Sequence, residues 1–343
     1  MKAQRFRRDG FSLTEVLIAI FVMSIGLISL MVLFPFGALQ MANAIKDDRT
    51  AAIADNAHVW LKTMWRRTWV NENNVLRDTA SAELIQPFIS DLKAVSPSFE
   101  KEPSRPVLLD PIGVFSRIAQ PPAISGWVAG EAGEQRIHRR NINLYTTATP
   151  LPQLAQLLQN FSMQDDINFS QSGSTFIPTS PATERYGTYN WSYLVRRERE
   201  SRNYEMRVWI MVFQRRAPDI LNQESAVTAN IVRGDPLIQL LNPSPSIPLR
   251  KGAWVLDASR LQTGTATNPY FLQQTAWYRI MNISDDGSQI EVDPPPQWSA
   301  PNALSNPPSP EPGMLYIFDT IEQGRMVEVF DRGVITPFSP PVP

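Results

Sequence analysis

A single carboxylate at the head of a long apolar run is the most informative chemical feature of the sequence. The nineteen residues from 16 to 34 contain only two polar side chains, Ser24 and Ser29, and Glu15 directly precedes them. A carboxylate carried to the middle of a bilayer costs about 2.5 to 3.5 kcal/mol. Glu15 is therefore expected to need a cationic partner.

The sequence gives only weak signals for other catalytic or metal-binding sites. The absence of cysteine excludes disulfides, thiolate metal sites and cysteine nucleophiles. The two histidines, His58 and His138, lie far apart and no hydrolase or nucleotide-binding motif accompanies them. The aspartate pairs, of which Asp285-Asp286 is the best placed, could contribute oxygen ligands to Ca²⁺, but adjacent aspartates are more often solvated turn residues. We expect no catalytic residue, no metal site and no cofactor.

The apolar run is expected to span a membrane. At about 1.5 Å per helical residue it crosses a hydrocarbon core of roughly 30 Å. The preceding leader contains Lys2, Arg5, Arg7 and Arg8 against one acid, Asp9. This positive bias predicts a cytoplasmic amino terminus, with everything after residue 36 on the other side.

The junction between leader and run resembles a known signal. Gly10, Phe11, the polar-tolerant stretch 12–14, Glu15 and the apolar run are similar to the class III signal of type IV pilins and type II secretion pseudopilins. The resemblance implies that a prepilin peptidase cuts between Gly10 and Phe11 and N-methylates Phe11. It also implies that Glu15 faces the cationic amino terminus of a neighbouring subunit during assembly. The stretch 24–28 is weakly similar to minor PilV-like and I-type subunits.

The resemblance implies a structural role and no enzymatic activity. The expected function is that of a minor subunit of a type IV pilus or a type II secretion pseudopilus. Its expected partners are the prepilin peptidase, other pilin or pseudopilin subunits, the inner-membrane assembly platform and membrane lipid. The expected location is the bacterial cytoplasmic membrane with a periplasmic main domain, and then the filament. The net charge of −1 gives no support for a nucleic-acid partner.

An alternative remains open at this point. A basic start and an apolar run also describe an ordinary signal anchor. The chain would then be a permanently anchored extracytoplasmic domain of the substrate-binding or hydrolytic class, with an uncleaved amino terminus.

The helix is predicted to continue beyond the span, from about residue 12 to 69. Pro35 should kink it more readily than end it, since the helical pattern resumes. An apolar stripe at three- and four-residue spacing marks residues 37–69 as an outer amphipathic half: Ile53, Ala57, Trp60, Leu61, Met64 and Trp65. Trp65 and Trp69 are expected to pack on a sheet, and His58 to lie at the boundary of the stripe.

The remaining chain divides by composition into residues 70–188 and 189–343. In the first part, rich in proline and small polar residues, we expect short helices at 82–92 and 151–161 and an exposed loop at 170–181. The second part reads as antiparallel strands with proline-rich loops at 243–248, 294–312 and 337–343. The expected strands are 190–196, 204–213, 253–257, 277–283, 289–293, 314–319 and 326–330.

Two turns complete the prediction. Asp285-Asp286-Gly287 is expected to join two strands. The basic residues Arg196, Arg197, Arg199 and Arg202, interrupted by glutamates, favour an exposed, charge-balanced hairpin loop over a phosphate site. The predicted domains are a leader (1–10), a membrane-spanning assembly helix (11–36), its outer half (37–69), an irregular region (70–188) and a β region (189–343). The fold class is α+β, a long amino-terminal helix packed against an antiparallel sheet, as in pilins.

Overall fold

A computed structural model describes residues 12–77, 103–110, 137–140, 161–163, 169–172, 175–178, 189–198, 204–214, 225–241, 249–265, 268–299, 313–318 and 325–338. The chain divides into two compact units, Met1–Ala51 and Ala52–Pro343. One helix begins in the first unit and ends in the second, and the strands belong to the second.

Helix α1 spans Leu13–Trp69 and confirms the predicted long helix. The carbonyl oxygen of Ser12 accepts hydrogen bonds from the backbone N–H groups of Glu15 at 3.0 Å and Val16 at 3.2 Å, which fixes the first turn. Glu15 in the first turn and two arginines in the last turn complement the helix dipole. The helix continues through Pro35, as the resumed pattern predicts.

Fifteen strands lie among the described residues. They are β1 (Val107–Leu109), β2 (His138–Arg140), β3 (Phe169–Ser172), β4 (Thr175–Pro178), β5 (Tyr189–Arg196), β6 (Met206–Gln214), β7 (Ser225–Asn230), β8 (Leu237–Leu240), β9 (Trp254–Asp257), β10 (Arg260–Thr265), β11 (Asn268–Gln273), β12 (Ala276–Ile283), β13 (Gln289–Asp293), β14 (Gly313–Ile317) and β15 (Arg325–Ile335).

A five-stranded sheet in the order β15-β6-β5-β1-β2 forms the centre of the second unit. Strands β5 and β6 form the predicted antiparallel hairpin, with Tyr193 opposite Ile210. Strand β15 pairs antiparallel with β6 on the other side, and β1 pairs antiparallel with β5. The β1–β2 pair alone is parallel.

The outer part of α1 packs on this sheet. Its side chains at four-residue spacing, Ile53, Ala57, Leu61 and Trp65, are at most 2% exposed. They form one apolar core with alternate side chains of β5 and β6, which include Tyr193 and Val208. The α+β, pilin-like fold with a helix on an antiparallel sheet is thus confirmed.

Six further strands close into a barrel in the order β12-β13-β8-β7-β14-β9. Its pairs are all antiparallel. Strands β12 and β13 form the hairpin predicted around Asp285-Asp286-Gly287, where Gly287 has a φ of +68° that glycine adopts without strain. Leu256 of β9 and Phe318, just after β14, join a second core with Trp209, Met211 and Phe213 of β6. The sheet is therefore covered on both faces.

Several expectations need correction. The segment 170–181 is not simply a loop, because it contains most of the antiparallel β3–β4 pair. Region 70–188 also supplies β1 and β2 to the central sheet. The expected helix at 82–92 lies outside the described residues, as does 151–161 apart from Phe161.

The basic hairpin is also not fully exposed. Arg196 and Arg197 are 9% and 4% exposed, because Arg196 ends β5, which is buried along its whole length, and Arg197 follows it directly. Arg199 and Arg202 lie outside the described residues.

Candidate processing and assembly segment

The first turn of α1 places Glu15 at the start of the apolar surface. Gly10 and Phe11, the residues of the expected cut, lie outside the described residues. Next to them, the hydroxyl groups of Ser12 and Thr14 form a hydrogen bond. The Glu15 side chain is exposed. Its carboxylate is thus presented one residue before the apolar run and within about one turn of the expected new amino terminus.

The helix that follows presents apolar side chains on all sides. The large apolar side chains described from Leu13 to Met41 are between 47% and 80% exposed. An apolar surface of this length is stable only against lipid or against other apolar helices. Within the described chain, this segment is therefore expected to lie in lipid or against other apolar helices and not in water.

The two serines within the run do not conflict with a lipid environment. The Ser24 hydroxyl donates to the carbonyl of Ile20 at 2.7 Å, and the Ser29 hydroxyl donates to the carbonyl of Ile25 at 2.9 Å. Each hydroxyl hydrogen is satisfied inside the helix, so no polar donor is left to face hydrocarbon.

Length and composition agree with membrane anchoring. Among the described residues, α1 is the one helix long and apolar enough to cross a membrane. The combination of exposed surface, satisfied backbone and satisfied serines fits a span and does not fit the core helix of a water-soluble domain.

In the Asp285-Asp286 turn, which was considered as a calcium site, one carboxylate accepts hydrogen bonds from the turn itself. Asp286 accepts hydrogen bonds from the Ser284 and Ser288 hydroxyls at 2.6 and 2.7 Å and from the Ser288 N–H at 3.0 Å. The bond from Ser284 and those from Ser288 lower the pKa of Asp286 to about 2. No group of three or more His, Asp or Glu side chains that could hold a metal is found in the part of the chain that the structure describes.

The comparison with known families points to the same segment. Residues 5–31 match the family described as "Prokaryotic N-terminal methylation motif". The match spans the leader arginines, Gly10, Phe11, Glu15 and most of the apolar run. The curated proteins and the solved structures gave no match to the chain. The segment is thus recognisable from the sequence, by the spacing of Gly10, Phe11 and Glu15 before the apolar run.

Proposed function

We propose, from the type IV pilin-like class III signal that this chain carries, that it is the precursor of a minor subunit of a type IV pilus or type II secretion pseudopilus. In this proposal a prepilin peptidase cuts between Gly10 and Phe11 and N-methylates Phe11. The chain waits in the bacterial cytoplasmic membrane with residues beyond the span in the periplasm. It then joins a filament through the apolar part of α1, with the help of an inner-membrane assembly platform.

One observation carries the proposal: the matched motif leads without interruption into a helix whose apolar surface is exposed on every side. Such a helix can exchange lipid contacts for contacts with like helices at little cost, because both surroundings are apolar. A subunit that moves from membrane to filament needs this property.

Glu15 supports the same proposal. Its exposed carboxylate opens the apolar run and is costly to bury alone. The methylated amino group of Phe11 on a neighbouring subunit would supply the opposite charge and fix the register between two helices. The barrel favours a minor role, since a bulky outer region crowds a close-packed filament.

The first test is intact mass and amino-terminal sequencing of the full chain from membranes with and without the prepilin peptidase. We expect a chain that begins at N-methylated Phe11 only when the peptidase is present. Gly10→Leu should block the cut, whereas Asp9→Asn, one residue away, should not.

A chain that begins at Met1 under both conditions would contradict the proposal. It would favour the permanently anchored domain instead. Normal processing of Gly10→Leu would remove the basis for the assigned cut.

A further inference from the structure

A cleft of about 650 Å³ opens where the central sheet meets the barrel. Strands β5, β6 and β15 supply one side, and β9, the start of β12 and the segment after β13 supply the other. Four of the nine tryptophans in the sequence line it: Trp209, Trp254, Trp277 and Trp298. Its size and its mixture of aromatic and polar walls are those of a ligand site.

Two aromatic faces that could attract a cationic ligand are already covered by arginines of the chain itself. The Arg207 guanidinium lies 5.2 Å from the centre of the Trp209 ring, and that of Arg279 lies 5.8 Å from the Trp254 ring. Arg207 also forms ion pairs with Asp331 at 2.5 Å and Glu198 at 3.5 Å. The two acids are thus engaged by one arginine, and a cationic ligand would meet arginines on the aromatic faces.

Arg196, by contrast, lines the cleft without a close ion pair to a carboxylate among the described residues, although Glu198 lies in the same cleft and acts on it electrostatically. It is 9% exposed, and its Nη1 donates to the Thr275 hydroxyl at 3.0 Å. Its Nε is enclosed without an acceptor, and no ion pair to it occurs among the described residues. Burial lowers the pKa of Arg196, against the opposing effect of Glu198. A buried guanidinium with one neutral partner is costly, and an anion would offset this cost.

The residues that line the cleft indicate the chemical class of the ligand that carries the anionic group. Trp298 lines the cleft and is 41% exposed, so its side chain is accessible to a ligand. Thr275 and Gln274 also line the cleft and carry polar side chains. A sugar ring presents C–H groups to tryptophan and hydroxyls to polar side chains, so a saccharide matches a wall that contains both kinds of residue.

We propose that this cleft binds an acidic saccharide, with a uronate carboxylate on Arg196 and the sugar ring packed on Trp298. The site belongs entirely to the unit Ala52–Pro343, and the proposal does not depend on cleavage or filament assembly.

The test is titration of the full chain in detergent, followed by tryptophan fluorescence and calorimetry. The probes are a glucuronate-containing trisaccharide, the same trisaccharide with glucose in place of glucuronate, and indole-3-acetate. We expect saturable binding of the acidic trisaccharide and at least tenfold weaker binding of the neutral one, which corresponds to about 1.4 kcal/mol.

Two variants with matched controls locate the site. Arg196→Gln and Trp298→Ala should each weaken binding of the acidic trisaccharide at least tenfold. Arg67→Gln, at an exposed arginine near the end of α1, and Phe338→Ala, at an aromatic residue 49% exposed, should leave it unchanged. Trp298 is half-exposed, so its removal tests the site even if Arg196→Gln does not fold.

Four outcomes would overturn the proposal. Equal affinity for the acidic and neutral trisaccharides would remove the role of Arg196. Binding of indole-3-acetate without either saccharide would replace the ligand class with aromatic carboxylates. Absence of saturable binding to the unaltered chain, or unchanged binding by Trp298→Ala, would show that the cleft is not a saccharide site.

Discussion

Asp257 lies buried at the end of β9, 1% exposed, and its hydrogen bonds come from neutral groups. Its Oδ1 accepts from the Ser259 N–H at 2.9 Å and from the Ser259 hydroxyl at 2.5 Å, and its Oδ2 accepts from the Tyr278 hydroxyl at 3.3 Å. Burial raises the pKa of Asp257 above its usual value, and the bonds from Ser259 and Tyr278 oppose this rise only in part. The carboxyl group is therefore easier to protonate in the folded protein than in the unfolded chain.

This asymmetry predicts a pH-dependent loss of stability. Because the folded pKa is raised, the contribution of Asp257 is fully present below the unfolded pKa and is lost as the pH rises through the folded pKa. Each pH unit between the two pKa values is worth about 1.4 kcal/mol. Relative to Asp257→Asn, the unaltered chain should lose free energy of unfolding as the pH rises above the usual carboxyl pKa of about 4, measured by denaturant unfolding in detergent.

The exposed Asp285→Asn serves as the control, and its difference from the unaltered chain should not follow this pH profile. A constant difference between the unaltered chain and Asp257→Asn across the same range would contradict the assignment.

Tyr193 connects β5 to the helix that packs on it. Its hydroxyl donates to the carbonyl of Ala57 at 2.9 Å and accepts from Nε1 of Trp191 at 2.9 Å. Tyr193→Phe would leave the buried Trp191 N–H without an acceptor and should lower the free energy of unfolding by about 1 to 3 kcal/mol. Tyr189→Phe should cost less, because the Tyr189 hydroxyl makes a longer bond of 3.3 Å from a part-buried Gln214. Similar losses for both variants would argue against this role of Tyr193.

At the residue scale, the spacing of residues in the sequence predicted which side chains the helix buries and which it exposes. Trp65 and Trp69 are buried on the expected face of the helix, and Glu15 precedes the exposed run as its spacing implies. The inward turn of Arg196 was missed, because a run of alternating charges carries no signal for which members a strand takes into the core. The cleft was missed as well, since its tryptophans come from segments separated by up to ninety residues and meet only in the folded sheet and barrel.

At the element scale, the β12–β13 hairpin depends on a turn organised by one carboxylate. Asp286→Ala removes the acceptor of the Ser288 N–H, which should then exchange its amide hydrogen several-fold faster than in the unaltered chain. Hydrogen exchange followed at Ser288 measures this effect. The neighbouring Asp285→Ala should leave the exchange rate unchanged, and an unchanged rate in Asp286→Ala would show that the turn holds without its carboxylate.

Strands with clear alternation were predictable, and short ones were not. Strands β5, β6, β12 and β13 occur where the two-residue period placed them. Strand β1 has only three residues, too few to show a period, and its partners β5 and β2 are distant in sequence. Barrel closure was also beyond local reasoning, because strand order is set by pairing between distant segments.

At the scale of the whole molecule, processing and assembly should separate in one variant. Glu15→Ala keeps Gly10 and Phe11, so cleavage should remain largely intact, while loss of the charge partner should reduce incorporation into sheared filaments several-fold. Mass spectrometry reports cleavage and immunoblotting of filament fractions reports incorporation. Glu72→Ala, at an exposed glutamate beyond the end of α1, should affect neither. Normal incorporation of Glu15→Ala would rule out the assembly role of this carboxylate.

The order of the strands also shows how the outer region is built. Strands β6 and β15 are neighbours in the sheet, with Gln214 opposite Arg325, whose guanidinium donates to the Gln214 amide oxygen at 3.2 and 3.1 Å. All six barrel strands lie between these two residues in the sequence. The barrel is therefore an insertion into what would otherwise be a hairpin, and a deletion that joins Gln214 to Arg325 through a short turn would restore that hairpin.

Such a shortened chain would expose an apolar surface that the intact chain buries. Removing the barrel would bare the face of β6 that carries Trp209, Met211 and Phe213, all at most 7% exposed in the intact chain. An uncovered aromatic face of this kind promotes self-association. The barrel therefore serves as the cover of β6, and a chain without it would need polar residues at these three positions to stay in solution.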